Sequence, residues 1–168
     1  MNQEKTSSPV SGYLMLTVVL LLLVLGTLGL IVGRNPIFIW PLVIGFVLMP
    51  GFFFINPNSS VVLVLFGAYQ GTVKRNGFYW VNPFYVKKPI SLRARNFDST
   101  KLKVNDKRGN PVEIGAVVVW RVKDTAQALF DVEHYESYVA TQTESAIRTT
   151  AAKHPYDAPT EGEVSLRG

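Results

Sequence analysis

The sequence contains no cysteine, and it has very few charged residues at one end. Without cysteine there is no disulfide framework, thiolate metal site or thiol nucleophile. The absence of cysteine does not indicate whether the compartment is oxidising or reducing. Charged side chains make up 17% of the 168 residues, against about a quarter in a soluble domain. Of the 17 Lys and Arg and 12 Asp and Glu residues, only Glu4, Lys5 and Arg34 precede residue 56. The chain therefore divides into an apolar block and a normally charged block, and it is too apolar for intrinsic disorder.

Motifs of catalysis and cofactor binding are also missing. The sequence has no G-x-S-x-G elbow, no G-x-G-x-x-G or Walker-type loop and no H-E-x-x-H helix. The acidic residues near His134 lack a metal-binding spacing, and His154 is the only other histidine. A Ser–His–Asp triad is defined by geometry and stays open at this point. We predict no catalytic residue, no metal and no cofactor.

Two long uncharged runs fill the apolar block. The first, from Gly12 to Gly33, is 22 residues long, and as a helix it would cover roughly 30 Å, the thickness of a bilayer core. The second, from Pro36 to Ile55, contains Pro41 and Pro50, and transmembrane helices tolerate proline. A cleaved signal peptide fits poorly, because no cleavage site follows the first run and a second run comes at once.

These runs predict an integral multi-pass membrane protein. We expect an N-terminal tail at residues 1–11 and a two-helix transmembrane hairpin at 12–55, with spans 12–33 and 36–55. The alternative for the second run is a re-entrant or interfacial segment. Lys and Arg are in excess after the second run, which favours a soluble domain on the cytoplasmic side of a cell (inner) membrane.

Beyond the turn-rich joint at residues 56–60, the pattern is that of short strands followed by helices. Asn76-Gly77 is a strong hairpin signal between two apolar segments. The expected strands are 61–66, 71–74, 78–81, 90–95, 101–104 and 112–122. The expected helices are 126–130, capped by Asp124-Thr125, and about 135–153, ended by Pro155. The sequence thus predicts an α+β domain with an antiparallel sheet.

Apolar periodicity identifies the core faces of the last strand and the last helix. The strand should bury alternate side chains: Val112, Ile114, Ala116, Val118, Trp120 and Val122. The helix should bury Val139, Ala146, Ile147 and Ala151. The aromatic run Phe78–Trp80 has strand spacing, which is typical of a packed sheet or a membrane interface, so base stacking is disfavoured and no nucleic acid is expected.

Charge separates the domain into two zones. Twelve basic and three acidic residues lie between Lys74 and Lys123, whereas eight acidic and three basic residues follow from Asp124. Such a basic zone can attract anionic lipid headgroups or an acidic face of a neighbouring subunit. Ordinary solvated strand faces are the alternative. The candidate contact residues are Lys74, Arg75, Lys87, Lys88, Arg93 and Arg95.

An ordered series of motifs resembles the SPFH (Band 7) domain of stomatins, prohibitins and flotillins. It comprises the run Val61–Gly67, the G-x-Y-x-G-T-like stretch Gly67–Thr72, the segment Gly77–Phe84 ending in V-N-P-F, the turn and strand Asp106–Ile114, the strand end Val118–Asp124, and the helix segment Glu144–Arg148. Each piece alone is weak, but in combination they are specific over about residues 60–157.

The resemblance implies a non-enzymatic, membrane-anchored scaffold. Relatives form large homo-oligomers on the bilayer and associate with membrane proteases or channels. A regulatory subunit of a membrane protease or transport complex is the alternative. The chain departs from the family pattern in having two apolar runs. The domain, 60–168, is also expected to be truncated before its second half and the coiled coil.

Overall fold

A computed structural model describes residues 4–157 and 164–167. The chain divides into two compact units. The first comprises the described residues of Met1–Arg93 with Lys123–Gln127, and the second those of Ala94–Val122 with Ala128–Gly168. Residues 158–163 and 168, which the predicted domain includes, lie outside the described residues.

The first unit begins with two apolar helices. Strand β1 (Val10–Ser11) leads into helix α1 (Gly12–Val32). A 3-10 turn at Pro36–Phe38 precedes helix α2 (Ile39–Leu48), which ends in a second 3-10 turn at Met49–Gly51. Helix α2 has ten residues and is therefore about 15 Å long, half the thickness of a bilayer core.

The prediction of one helical span over residues 36–55 is wrong at its C-terminal end. Helical turns stop at Gly51, and residues Phe52–Ile55 form strand β2, which pairs with strand β5 (Gly77–Trp80). Pro50 cannot continue the α-helical ladder, and the phenylalanines that follow have high strand propensity. Tertiary pairing therefore converts the end of the apolar run into sheet.

Two three-stranded sheets complete the first unit, and all their strand pairs are antiparallel. One has the order β1-β5-β2. The other has the order β4-β3-β6, with β3 at Ser59–Leu65, β4 at Ala68–Val73 and β6 at Tyr85–Ser91. The buried cluster of this unit consists of Ile55, Val61, Leu63, Val73 and Val81.

The hairpin predicted at Asn76-Gly77 is wrong. Strand β4 pairs with β3, while β5 pairs with β1 and β2, so the two strands that flank Asn76-Gly77 belong to different sheets. The two-residue hairpin turn lies instead between β3 and β4, at Phe66 and Gly67, whose φ angles are +48° and +85°. Two successive positive φ angles are the requirement of a type I′ turn.

The second unit contains two antiparallel strand pairs. Strand β7 (Arg95–Asp98) pairs with β10 (Val117–Trp120), and β8 (Leu102–Asn105) pairs with β9 (Pro111–Ile114). The predicted strand 112–122 is therefore split between two partners. At the break, the N–H of Ala116 donates to Ser99 Oγ at 2.8 Å in place of a ladder bond. The predicted alternation is nevertheless confirmed, since the even-numbered side chains from 112 to 122 are partly buried and the odd-numbered ones exposed.

Two helices follow the strands. Helix α3 (Thr125–Phe130) begins where Asp124 Oδ1 accepts the N–H of Gln127 at 2.9 Å, as predicted for a capping residue. Helix α4 spans Tyr135–Lys153, which confirms the prediction. Its apolar face is only partly covered, because Ala151 is buried but Ala146 is exposed, and a groove of about 370 Å³ runs along this face.

Asp106 organises the turn between β8 and β9. Its Oδ1 accepts the backbone N–H groups of Arg108 and Asn110 at 2.9 and 2.7 Å. Its Oδ2 accepts the Asn110 side-chain amide at 3.0 Å and the N–H of Tyr156, just after α4, at 3.1 Å. Burial opposes ionisation of this carboxyl, but the four hydrogen bonds prevail and lower its pKa to about 2.

Candidate membrane anchor and its junction with the sheet

Helix α1 is the one helix among the described residues that is long and apolar enough to cross a membrane, by length and composition. Most of its large apolar side chains are exposed. Its two threonine hydroxyl groups are satisfied within the helix, since Thr17 donates to the Tyr13 carbonyl at 3.0 Å and Thr27 to the Leu23 carbonyl at 2.9 Å. Threonine hydroxyl groups that are paired within their own helix are compatible with a hydrocarbon environment.

Glycines allow α1 and α2 to approach each other closely. A Cβ added at Gly26 would lie 2.6 Å from Leu42 Cγ, and one added at Gly45 would lie 2.9 Å from Leu23 Cδ2. The later residue of α1, Gly26, faces the earlier residue of α2, Leu42, and the earlier residue Leu23 faces the later residue Gly45. The two helices are therefore antiparallel. Small residues at such contacts are typical of helices that pack in a membrane.

An aromatic cluster joins α1 to the sheet β1-β5-β2. Tyr13, in the first turn of α1, makes an edge contact with Phe78 at 5.4 Å between ring centroids, and Phe52 stacks on the same ring at 5.5 Å. On the other side of the sheet, Phe53 packs against Tyr79. The aromatic run therefore packs a sheet, as predicted, and it lies at the end of the apolar helices.

Two side chains satisfy carbonyl groups at the C-terminal end of α2. The indole N–H of Trp80 donates to the Leu48 carbonyl at 2.9 Å, and the Lys87 ammonium donates to the Pro50 carbonyl. A cation at this position also complements the helix dipole. Burial lowers the pKa of Lys87. The end of the helix pair is thus fastened to strands from both sheets.

The N-terminal tail forms part of the first unit. The N–H of Thr72 in β4 donates to the Lys5 carbonyl at 2.8 Å, and the N–H of Ser7 donates to the Thr72 carbonyl at 3.0 Å. Gly71 makes room for this crossing, because a Cβ there would lie 2.9 Å from the Lys5 carbonyl oxygen. The predicted tail, 1–11, therefore includes residues that are added to the edge of β4.

A polar network holds the tail in place. The Glu4 carboxylate accepts Thr125 Oγ1 at 2.7 Å and the Lys74 ammonium at 2.7 Å. Thr125 Oγ1 is 3.0 Å from Thr72 Oγ1, which is 2.9 Å from the hydroxyl of Tyr69. Burial of Glu4 opposes its ionisation, but the bonds from Lys74 and Thr125 prevail and lower its pKa. The carboxylate form therefore holds the tail to β4 and to the start of α3.

Phe66, in the β3–β4 turn, and Phe84, just before β6, form an exposed aromatic pair. Phe66 is 85% and Phe84 63% exposed, and their rings are 6.4 Å apart. A bulky residue in the left-handed region is strained by about 1–2 kcal/mol. Lys87 reaches Pro50 from a position opposite Leu63, two residues before β3 ends at Leu65. Strand β2 runs away from the end of α2, and β3 then runs back towards it. The turn at Phe66, which follows β3, therefore lies at the end of the sheet nearer the helices.

The six predicted basic residues differ in their local surroundings. Lys74 is paired with Glu4, and Lys87 and Lys88 are neighbours in β6, so they lie on opposite faces. Arg95 belongs to the second unit, where it pairs with Glu136 and lies over the rings of Trp120 and Tyr135. Arg75, Lys88 and Arg93 are exposed, and Lys74 is exposed as well although it pairs with Glu4. The sequence offered no signal for the Glu4 and Glu136 partners, which are 70 and 41 residues distant.

Neither histidine belongs to an acid–base or metal cluster within residues 4–157 and 164–167. His134 is the N-cap residue of α4 and His154 its C-cap residue. No group of three His, Asp or Glu side chains in this part of the chain could hold a metal ion.

A comparison with protein families agrees with this architecture. The model of the SPFH domain / Band 7 family matches residues 53–165, about two thirds of the chain. The chain belongs to this family. Its members are generally membrane-associated, non-enzymatic proteins of scaffold type. No curated protein is similar enough to the chain to count as a match.

The Band 7 match begins at residue 53, inside β2. The helix pair and the N-terminal tail therefore precede the family domain, yet β1 and the tail are hydrogen-bonded to strands of that domain. In this Band 7 chain the strands on either side of the helix pair share one sheet, β1-β5-β2, with a strand of the family domain.

Proposed function

We propose that this Band 7 protein is a membrane-anchored, self-assembling scaffold that organises membrane patches and their associated membrane proteins. The helix pair is the anchor, inserted as a hairpin, and the two units face the cytoplasm at a cell (inner) membrane. Arg75, Lys88 and Arg93, which are exposed, are the proposed basic contacts with headgroups or with a neighbouring subunit.

One observation is the main support for the proposed hairpin. Strand β1 precedes α1 and strand β2 follows α2, and both pair with β5. Both ends of the helix pair therefore lie at one sheet, which supports a hairpin over a single crossing by α1. Helix α1 is long enough to span, at about 32 Å. Helix α2 is shorter than α1, so in the proposed hairpin the 3-10 turns on either side of α2 complete the second crossing of the membrane.

The exposed pair Phe66 and Phe84 supports contact between the domain and the membrane surface. Both rings lie at the helix-proximal end of the sheet, and aromatic side chains favour the bilayer interface. A strained, exposed aromatic residue at such a tip is consistent with a functional contact.

Self-assembly predicts a large homo-oligomer. Full-length protein extracted in mild detergent should migrate as one large species in size-exclusion chromatography with light scattering, and crosslinking should recover mainly copies of the chain itself. A strictly monomeric species contradicts self-assembly. A stoichiometric second protein favours the regulatory subunit of a protease or transport complex instead.

The hairpin predicts a labelling pattern that the absence of cysteine makes simple to measure. Single-cysteine variants Ser8→Cys and Thr100→Cys, both at exposed positions, should react with an impermeant maleimide from the same side of sealed vesicles. Asn35→Cys, between the helices, should react only from the opposite side. Reaction of Asn35→Cys from the same side as Ser8→Cys would identify a re-entrant segment and contradict the hairpin.

A further inference from the structure

A cleft opens between the two sheets of the first unit, beside the end of the helix pair. Its volume is about 430 Å³, within the roughly 300–1,000 Å³ of small-molecule sites. One wall is β2, including Phe53 and Ile55, and the other is formed by β3 and β6, including Val61. Most of the lining is apolar, and the charged side chain at its rim is Lys87.

Lys87 is a half-buried cation with no carboxylate partner in the part of the chain that the structure describes. Its ammonium donates to the Pro50 carbonyl and lies 5.9 Å from the centre of the Phe53 ring. An ammonium has three donors, and buried cations are normally paired with an anion. The rim therefore has donor capacity for an anionic group, directly above an apolar space.

Addition of a peptide strand fits this cleft poorly. On the β6 side the edge strand carries Pro89, which lacks an N–H, next to Lys87 and Lys88. Proline and lysine are the residues by which edge strands resist further pairing. The lining favours an aliphatic chain over a backbone.

We propose that the cleft binds a long-chain fatty acid, with its acyl chain between β2 and β3 and its carboxylate on Lys87. The volume suits one acyl chain, which excludes a diacyl phospholipid, and the position beside α2 gives access from the bilayer. This site rests on the proposed membrane anchoring for its supply of ligand. Binding itself is measurable in detergent, without either assembly or insertion.

The test is photolabelling of the purified full chain in a neutral detergent with palmitate that carries a diazirine in its chain, followed by peptide mapping. Label should concentrate in the peptides of β2 and β3. Lys87→Met keeps the length of the side chain but removes its charge, and should reduce labelling about tenfold, as expected for loss of a charge-assisted hydrogen bond. Lys101→Met, at an exposed position in the second unit, is the matched control and should label as the wild type does.

A second variant keeps the test decisive if Lys87→Met does not fold. Ser59→Phe fills the cleft while it retains Lys87, and should also abolish labelling, with helix content checked by circular dichroism. Equal labelling of wild type and Lys87→Met, label spread along α1, or crosslinks between two copies through the cleft would overturn the site. A chain that assembles but does not label refutes only this site, whereas a monomer that labels refutes only the scaffold.

Discussion

Replacing Gly51 with alanine should destabilise the first unit by about 3 kcal/mol, through overpacking and the loss of one or two hydrogen bonds. A Cβ at this position would collide with the Trp80 indole nitrogen and with the Val81 carbonyl oxygen, which is backbone and cannot rotate away. Relief of the clash would displace Trp80 from the Leu48 carbonyl and break the bond from the Val81 N–H to the Gly51 carbonyl, 3.1 Å in length. The joint between α2 and the sheet should therefore loosen.

Thermal unfolding in detergent, followed by tryptophan fluorescence, measures this effect. The midpoint should fall by roughly 10–20 °C for a unit of this size. Gly115→Ala is the matched control, because a Cβ there would have its nearest neighbour, the Ser99 carbonyl oxygen, at 3.8 Å. An unchanged midpoint for Gly51→Ala would show that the joint tolerates a methyl group and that Trp80 does not hold the helix end.

Replacing Asp106 with asparagine should destabilise the second unit and free the turn between β8 and β9. An asparagine side chain offers one acceptor oxygen, so it cannot accept the N–H of Tyr156 as well as the bonds from Arg108 and Asn110. The melting midpoint should fall by roughly 5–10 °C. Hydrogen exchange of residues 105–111 should accelerate, whereas Asp131→Asn, at an exposed position between α3 and α4, should change neither quantity.

The same carboxyl predicts a pH dependence. Its pKa in the folded chain is about 2, below the ordinary value of 3.8. For a lowered pKa, the stabilisation is complete above the unfolded-state value and is lost as pH falls towards the folded-state value. The wild type should thus lose stability between about pH 4 and pH 2, and Asp106→Asn should lose less over that window. Parallel pH profiles for the two proteins would contradict a structural role for the charge.

Local patterns in the sequence predicted much of the fold. Helix α4 is set by its apolar spacing and by Pro155, and the alternation from Val112 to Val122 persists across a break in pairing, because the side-chain period of a strand does not depend on its partner. The hairpin prediction at Asn76-Gly77 failed because a hairpin depends on which strands pair with each other. Asn76-Gly77 has ideal residues for a hairpin, yet the turn is formed by Phe66-Gly67, since the packing of β3 and β4 outweighs the strain at Phe66.

The candidate site was less accessible to sequence reasoning than the fold. Composition located a basic stretch, but charge counts do not reveal that Lys74 is paired with Glu4, Arg95 with Glu136 and Lys87 with a helix end. These partners are distant along the chain, so only folding brings them together. Sequence reasoning also missed the contact of Gly51 and Trp80 at the end of α2, which depends on the close approach of two segments distant along the chain.

By itself, the sequence determined an uncharged α1 of membrane length, a strand-rich basic zone, a helical acidic zone and membership of the Band 7 family, because composition and periodicity are local properties. Tertiary structure alone decided that Phe52–Ile55 is sheet and that β1 and β2 both pair with β5. It also decided which lysine and arginine side chains are paired with carboxylates and which are not. Strand pairing and ion pairing are contacts between distant residues, and their free energies depend on geometry that exists only in the folded chain.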